Sequence, residues 1–477
     1  VSEIGQLKHG RRGAFVVILV AGFMSLLDVS IVNVALPSIQ QGLGAGESEI
    51  QWIVAGYALT FGLLLVASGR GGDLFGRRRL FIIGVLGFVA SSLSCGVATN
   101  GTWLIISRLI QGLFAGVLNP QVLGLIQDLF QGKERARAFG AYGMMIGVST
   151  AVGPLLGGLL INLFGVSHGW RLVFLINVPI GIVLIPLAYK WLPQEVKAGH
   201  ASFRTFDPMG TLILGASVLC IMWPFLEISE GSTAKSYGVF WLALVGVALL
   251  LLFWWWEKFW TRRGGDVVLD GRLFKSKSYV FGVITGFSYF AGFTSIFVVI
   301  TLYLQQGQGF SPLESGLSQL SFAIASGLFA GMSGRLVNRF GRKVPVVGSA
   351  IMVISVSVIA LIAAFVDESS APWWIIAVLA LAGMGSGLVI SPNQALTLEA
   401  APTEVAGVAG AVLQTMQRIG TAVGLAFVTT VFFLEADGGS YQSATSRAMW
   451  VIAAILFVSL CVNTLDLYSR RRDIKIP

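Results

Sequence analysis

The sequence predicts an all-α membrane protein of fourteen transmembrane helices, arranged as two related six-helix bundles with two helices inserted between them. Three observations carry this expectation. Of 477 residues, 55% are hydrophobic and only 12% charged, against roughly 25% charged in a soluble domain. Too little polar surface remains for water, so much of the molecule must face hydrocarbon. Apolar stretches of about 20 residues, the length that crosses a bilayer, recur from end to end of the chain. A glycine-rich basic motif also occurs twice, as Gly69-x-x-x-Asp73-x-x-Gly76-Arg77-Arg78 and as Gly334-x-x-x-Asn338-x-x-Gly341-Arg342-Lys343.

Helix 1 is expected over roughly 14–37. It is longer than the apolar core of a secretory signal and no cleavage site follows it, so it reads as a span that stays. Helices 2 to 6 follow over roughly 50–70, 80–98, 103–127, 138–163 and 171–189. Helices 7 and 8 are expected over roughly 209–229 and 237–258. Helices 9 to 14 take roughly 279–304, 315–336, 345–366, 373–396, 405–434 and 446–468. The loops test the count. Basic clusters precede helix 1 (Lys8, Arg11, Arg12) and follow helix 2 (Arg77, Arg78, Arg79), helix 4 (Lys133, Arg135, Arg137) and helix 6 (Lys190, Lys197, Arg204). They recur after helix 8 (Arg262, Arg263, Arg272, Lys275, Lys277), helix 10 (Arg339, Arg342, Lys343) and helix 14 (Arg470, Arg471, Arg472). The alternate loops carry Glu47, Glu49, Glu230, Asp367, Glu368, Glu435 and Asp437 instead. This is the positive-inside pattern; it puts both termini in the cytoplasm and requires an even helix count. The loop after helix 12 carries no base and is silent. The net charge of +9 is thereby assigned to cytoplasmic loops rather than to a nucleic-acid surface. The second motif copy follows helix 10, not helix 8. Helices 7 and 8 are therefore inserted, with bundles over 1–190 and 265–477 and a linker over 191–264.

Further motifs carry a resemblance. Arg108-x-x-Gln111-Gly112 lies in helix 4 and Gly153-Pro154-x-x-Gly157-Gly158 in helix 5. Helix 1 contains Leu27-Asp28-Val29-Ser30-Ile31-Val32-Asn33-Val34-Ala35-Leu36-Pro37. Helix 6 contains Trp170-Arg171, Phe174, Asn177 and Pro179 to Gly181. Tyr303-Leu304-Gln305 with Ser311-Pro312-Leu313 and Gly316 links helices 9 and 10. Together with Gly69–Arg79, these resemble the fourteen-helix drug:proton antiporter family of the major facilitator superfamily over nearly the whole chain. The resemblance implies the major facilitator fold, a monomer in a bacterial cytoplasmic membrane, and antiport driven by the proton gradient without a cofactor. It implies that Gly153, Pro154, Gly157 and Gly158 form an antiporter motif whose bend packs helix 5 against the C-terminal half. It also implies that Asp73, Arg77 and Asp128 form a cytoplasmic latch. Asn338 departs from the acid often found in the second copy, which weakens a charge latch there.

Asp28 carries the most weight among single residues, because an acid inside a span is costly and usually serves a pathway. Its depth, roughly 21 Å from the cytoplasmic end at 1.5 Å per residue, matches that of Arg108. Burial disfavours charge and a nearby guanidinium favours it, so small movements could load or release a proton. A static pair tying helices 1 and 4 together is the plainer alternative. Arg418 is a second embedded charge without an evident acidic partner; it could face a cavity, bind an anionic group or bond helix carbonyls. Asn33, Gln51, Trp52, Tyr57, Asn119, Asn393, Gln414 and Arg418 are candidate cavity-lining groups, each equally explicable by packing or interhelical hydrogen bonds. No phosphate-binding loop, metalloprotease motif or nucleophile elbow occurs, and His9, His168 and His200 fall in predicted loops. Cys95, Cys220 and Cys461 offer no disulfide framework or zinc spacing. The expectation is thus a non-enzymatic, metal-free exporter of lipophilic, often cationic compounds, with protons and membrane lipids as its other partners. A dedicated exporter of a lipid, siderophore or metabolite is the alternative. An intramembrane receptor or enzyme lacks both a catalytic constellation and large extramembrane domains.

Overall fold

A computed structural model describes residues 2–193, 207–229, 240–262, 269, 271–402, 405–436 and 440–473, and no strand occurs among them. Twelve stretches are long and apolar enough to cross a membrane. One of these, Gly132–Trp191, would run roughly 90 Å as a single helix, three times the hydrocarbon thickness. It breaks at Gly165, whose φ of 75° and ψ of 168° leave the helix, and so divides into helix 5 (132–164) and helix 6 (166–191). The shorter apolar helix Met209–Pro224, within Pro208–Ser229, is helix 7. The described residues therefore hold thirteen helices long and apolar enough to cross a membrane and, with the shorter helix 7, fourteen apolar helices. Helices 1 to 4 are Ser2–Leu43, Glu47–Phe75, Arg77–Gly96 and Gly101–Leu129, and helix 8 is Trp241–Arg262. Helix 9 is Lys277–Leu302, helix 10 joins Pro312–Ser318 to Leu320–Phe340, and helix 11 is Lys343–Phe365. Helices 12 to 14 are Ala371–Glu399, Ala406–Ala436 and Tyr441–Asp473.

Hydropathy marks where the chain leaves hydrocarbon, whereas backbone hydrogen bonds continue beyond it. Helix 1 accordingly runs past Pro37 to Leu43, and helix 5 starts at Gly132 in the basic segment rather than at 138. Side-chain caps fix several starts: Asn100 accepts from the Trp103 N–H, Ser276 from Tyr279, and Ser311 with Glu314 forms a capping box. The repeated motif ends in a glycine with the same task twice. Gly76 (φ 102°) and Gly341 (φ 57°) turn the chain sharply between helices 2 and 3 and between helices 10 and 11, at backbone angles a side chain resists.

Helices 1 and 5, 2 and 4, 3 and 4, 3 and 6, and 1 and 6 pack together; so do 9 and 13, 10 and 12, 11 and 12, 11 and 14, and 9 and 14. The second set is the first displaced by eight helices, as two copies of one bundle require. Between the halves, helix 2 packs on 13 and helix 5 on 10, again a symmetric pair. Helix 7 lies over the edge of the first of these seams. Its Val218 and Met222 cluster with Leu59 of helix 2 and Ala422 of helix 13, and helix 8 packs chiefly on helix 7. Exposed side chains such as Leu163, Ile182, Leu244, Leu251 and Phe365 form an apolar outer surface suited to lipid rather than water.

Candidate functional site

Helices 1, 4 and 6 bring a charged pair into the N-terminal bundle. Asp28 is completely buried and Arg108 nearly so. Arg108 Nη1 donates to Asp28 Oδ2 at 2.6 Å. The other carboxylate oxygen accepts from Gln111 Nε2 and Asn177 Nδ2, each at 3.0 Å. Arg108 also donates to Gln111 Oε1 at 2.7 Å and to the Ile53 carbonyl at 3.3 Å. Its guanidinium lies 4.1 Å from the centre of the Tyr57 ring. Ser92 accepts from Gln111 and Asn177, at 3.2 and 2.9 Å, which holds both amides toward the carboxylate. Gln111, Asn177 and Ser92 were absent from the expected site. Gln111 had a signal, since three residues from Arg108 puts it on the same helical face. Asn177 stands in the helix 6 motif that carries the resemblance, and Ser92 had no signal.

At the end of the molecule that carries the basic loops, the sequence-predicted latch residues meet. Arg77 Nη2 donates to Asp73 Oδ1 at 2.7 Å, and its Nε lies 3.4 Å from Asp128. Asp73 also accepts the backbone N–H groups of Gly407 and Val408, at 3.2 and 3.3 Å. These belong to the first turn of helix 13 in the other half, where N–H groups lack intrahelical partners and the helix dipole favours an anion. A Cβ at Gly69 would stand 2.6 Å from the Gly407 carbonyl, so the two backbones touch there. The second copy makes a different contact. Asn338 donates to the Lys133 carbonyl at 3.2 Å, a neutral bond in place of the carboxylate at a helix start. Arg342 turns back into its own half to pair with Asp466.

In helix 5, Gly153 and Gly157 face helix 1: added Cβ atoms would stand 2.0 Å from Ser30 Oγ and 3.1 Å from Ile31. Gly158 approaches Leu313 of helix 10 at 3.7 Å. The Pro154 and Gln51 side chains lie outside the described residues. Within the motif, Gly153 and Gly157 thus serve the N-terminal bundle and Gly158 the contact with the C-terminal half. The tight approach to the other half comes from Gly140, Gly143 and Gly147, where added Cβ atoms would meet Ala330, Ser391 and Gly327 at 3.0, 2.7 and 3.1 Å.

The remaining candidates separate. Asn119 donates to Ser25 and Asn393 to the Gly282 carbonyl, at 3.3 and 3.1 Å, so both tie helices within a bundle. Trp52 packs edge-on against Trp223 of helix 7, and Asn33 is exposed. Gln414 is buried at the seam with its Oε1 unpartnered among the described residues. The Arg418 guanidinium lies 4.6 Å from the centre of the Phe61 ring. A small, largely apolar cavity opens between helix 5 and helices 9, 10 and 12, lined by Ile146, Thr150, Phe293, Phe322 and Ser326 among others.

Comparison with known proteins agrees with this architecture. The "Probable actinorhodin transporter" of Streptomyces coelicolor is 35% identical over 457 residues, 94% of this chain and 78% of that protein. The "Multidrug resistance protein Stp" of Mycobacterium tuberculosis is 31% identical over 412 residues, 86% of this chain and 73% of that protein. The solved structure of the proton:xylose symporter XylE superposes with a TM-score of 0.67 at 15% identity, covering 95% of each chain; that likeness speaks for the fold alone. The profile of the Major Facilitator Superfamily matches residues 18–425, and with two six-helix halves meeting along symmetric seams, the chain belongs to that superfamily.

Proposed function

We propose that this chain is a proton-coupled antiporter that exports lipophilic compounds, cationic ones among them, from a bacterial cytoplasm. Both termini and the Asp73–helix 13 contact are placed on the cytoplasmic side, with six-helix bundles over 1–190 and 265–477 joined by 191–264. The observation that carries the reading is the buried Asp28–Arg108 pair with its Gln111 and Asn177 donors. An ionised acid in hydrocarbon is expensive, and this one is held by three donors. Protonation would cancel its attraction to Arg108 and free the helices it joins. One charge crossing 100 mV supplies about 2.3 kcal/mol, enough to drive uphill export. The latch supports alternating access, since Asp73 holds two halves that must part on this side for substrate to enter.

A second reading has a specific support. One relative is named for transport of a single compound and another for multidrug resistance, so the cavity could serve one dedicated metabolite. Purified protein in proteoliposomes, given an inward-acid pH gradient and a panel of lipophilic dyes, tests both. Uphill movement of several unrelated dyes supports the first reading, and movement of one scaffold alone supports the second. Movement indifferent to the pH gradient contradicts proton coupling.

A further inference from the structure

Arg418 has no acidic or hydrogen-bonding partner among the described residues; its one described contact is with the Phe61 ring. It lies roughly 18 Å along helix 13 from Ala406, deep in the span. The helix register fixes where it points. Gly407, Ala411, Gln414 and Arg418 are spaced along one helical face. Near the start of the helix that face touches Gly69 of helix 2. Beyond Arg418, Ala422 packs with Leu59 and the helix 7 residues Val218 and Met222. Arg418 therefore stands on the seam between the halves, after the closed basic end and before the cover formed by helix 7. It is only half-buried.

Two neutral phenols, Tyr57 of helix 2 and Tyr142 of helix 5, lie near it. Neither hydroxyl has a hydrogen-bond partner among the described residues. Asp28 does not compete for Arg418, because its two oxygens are taken by Arg108, Gln111 and Asn177. A guanidinium deep in a span without a counter-ion is costly, and a face-on aromatic ring offsets only part of that cost.

We propose that Arg418, Tyr57 and Tyr142 form a subsite in the transport path for the ionised acid group, carboxylate or phenolate, of an aromatic substrate. The inference rests on the exporter reading above and names a substrate class for that exporter. The planar guanidinium presents paired donors that match a carboxylate, and two free hydroxyls add further donors. The Phe61 and Tyr57 rings, stacked with centroids 6.1 Å apart, form an apolar wall beside the guanidinium. The unpartnered Gln414 Oε1 can accept a bond from a substrate hydroxyl. Tyr57 also lies beneath Arg108, so an occupant of this subsite is one ring away from the Asp28 pair.

Fluorescein and rhodamine 6G share a tricyclic ring system and carry opposite charge, so together they test the subsite. Equilibrium binding of each to the purified full chain is compared between wild type and Arg418→Gln, with thermal unfolding measured on both. Loss of charge-assisted bonds is expected to weaken fluorescein binding about tenfold or more, while rhodamine 6G binds as well or better. Arg418→Lys should recover part of the fluorescein affinity, and Tyr142→Phe should lower it more modestly. These two variants carry the test if Arg418→Gln fails to fold. Fluorescein binding unchanged in Arg418→Gln, or no fluorescein binding by wild type, overturns the subsite. Equal weakening of both dyes with a lower unfolding temperature overturns it too, leaving Arg418 as a seam staple on Phe61. Dye transport by the same preparations separates the two readings. Arg418-dependent binding without movement of either dye removes the exporter and keeps the subsite, whereas movement with Arg418-independent binding does the reverse.

Discussion

Asp28 is held directly by three groups from helices 4 and 6, and Ser92 of helix 3 supports two of them. Arg108 answers its charge, Gln111 and Asn177 fill its second oxygen, and Ser92 fixes the amides. Removing Arg108 alone leaves a buried carboxylate without its cation, a loss of about 3–5 kcal/mol. Removing both charges leaves apolar packing that is often neutral in cost. Arg108→Leu should therefore unfold at a markedly lower temperature than wild type, and Asp28→Leu/Arg108→Leu should regain most of that loss. A double variant no more stable than the single one would show that the pair contributes little. In the sequence, the charged pair was visible because two opposite charges fell at one depth in apolar helices. The amide network was legible only in part: Gln111 and Asn177 stand in recognisable motifs, but Asn, Gln and Ser are common in spans as ordinary interhelical bonds, as Asn119 and Asn393 prove to be.

At the scale of elements, the decisive contact is that of helix 2 with the start of helix 13. Asp73 meets the Gly407 and Val408 N–H groups, and Gly69 lies against the Gly407 carbonyl. Asp73→Asn keeps the shape but loses the charge at the helix start, so transport should fall while membrane insertion, set by the arginines and lysines, stays intact. Normal transport by a well-expressed variant would count against the latch. Gly69→Val places carbon where a carbonyl already stands and should abolish transport by holding this seam apart; activity near wild type would mean the closed seam is dispensable. The helices themselves were readable from apolar length and alternating basic loops. Their partners were less so. Asp73 binds backbone N–H groups, which leave no mark in sequence, and helix 5 approaches the other half through Gly140, Gly143 and Gly147 rather than through the motif that stands out.

For the molecule as a whole, the repeated motif revealed two copies of one bundle, since Gly76 and Gly341 each turn the chain at positive φ eight helices apart. Where the inserted helices sit was not readable, because an all-apolar helix has no preferred face to declare its neighbours. Helix 7 covers the edge of the helix 2–13 seam through Val218, Met222 and Trp223. If the halves must part there, cysteines at Leu59 and Ala422 in a background lacking Cys95, Cys220 and Cys461 should cross-link, stop transport and release it on reduction. Undiminished transport by the cross-linked protein would show that this seam stays closed throughout the cycle. In the proposed function these motions serve one exchange, proton for substrate at Asp28, and that exchange has a direct readout. Purified wild-type protein in weakly buffered detergent solution should release protons when a transported substrate is added, and Asp28→Asn, which has no proton to give at this position, should release none while still binding a neutral substrate. Equal release from the two proteins would contradict the account and remove Asp28 from the coupling step.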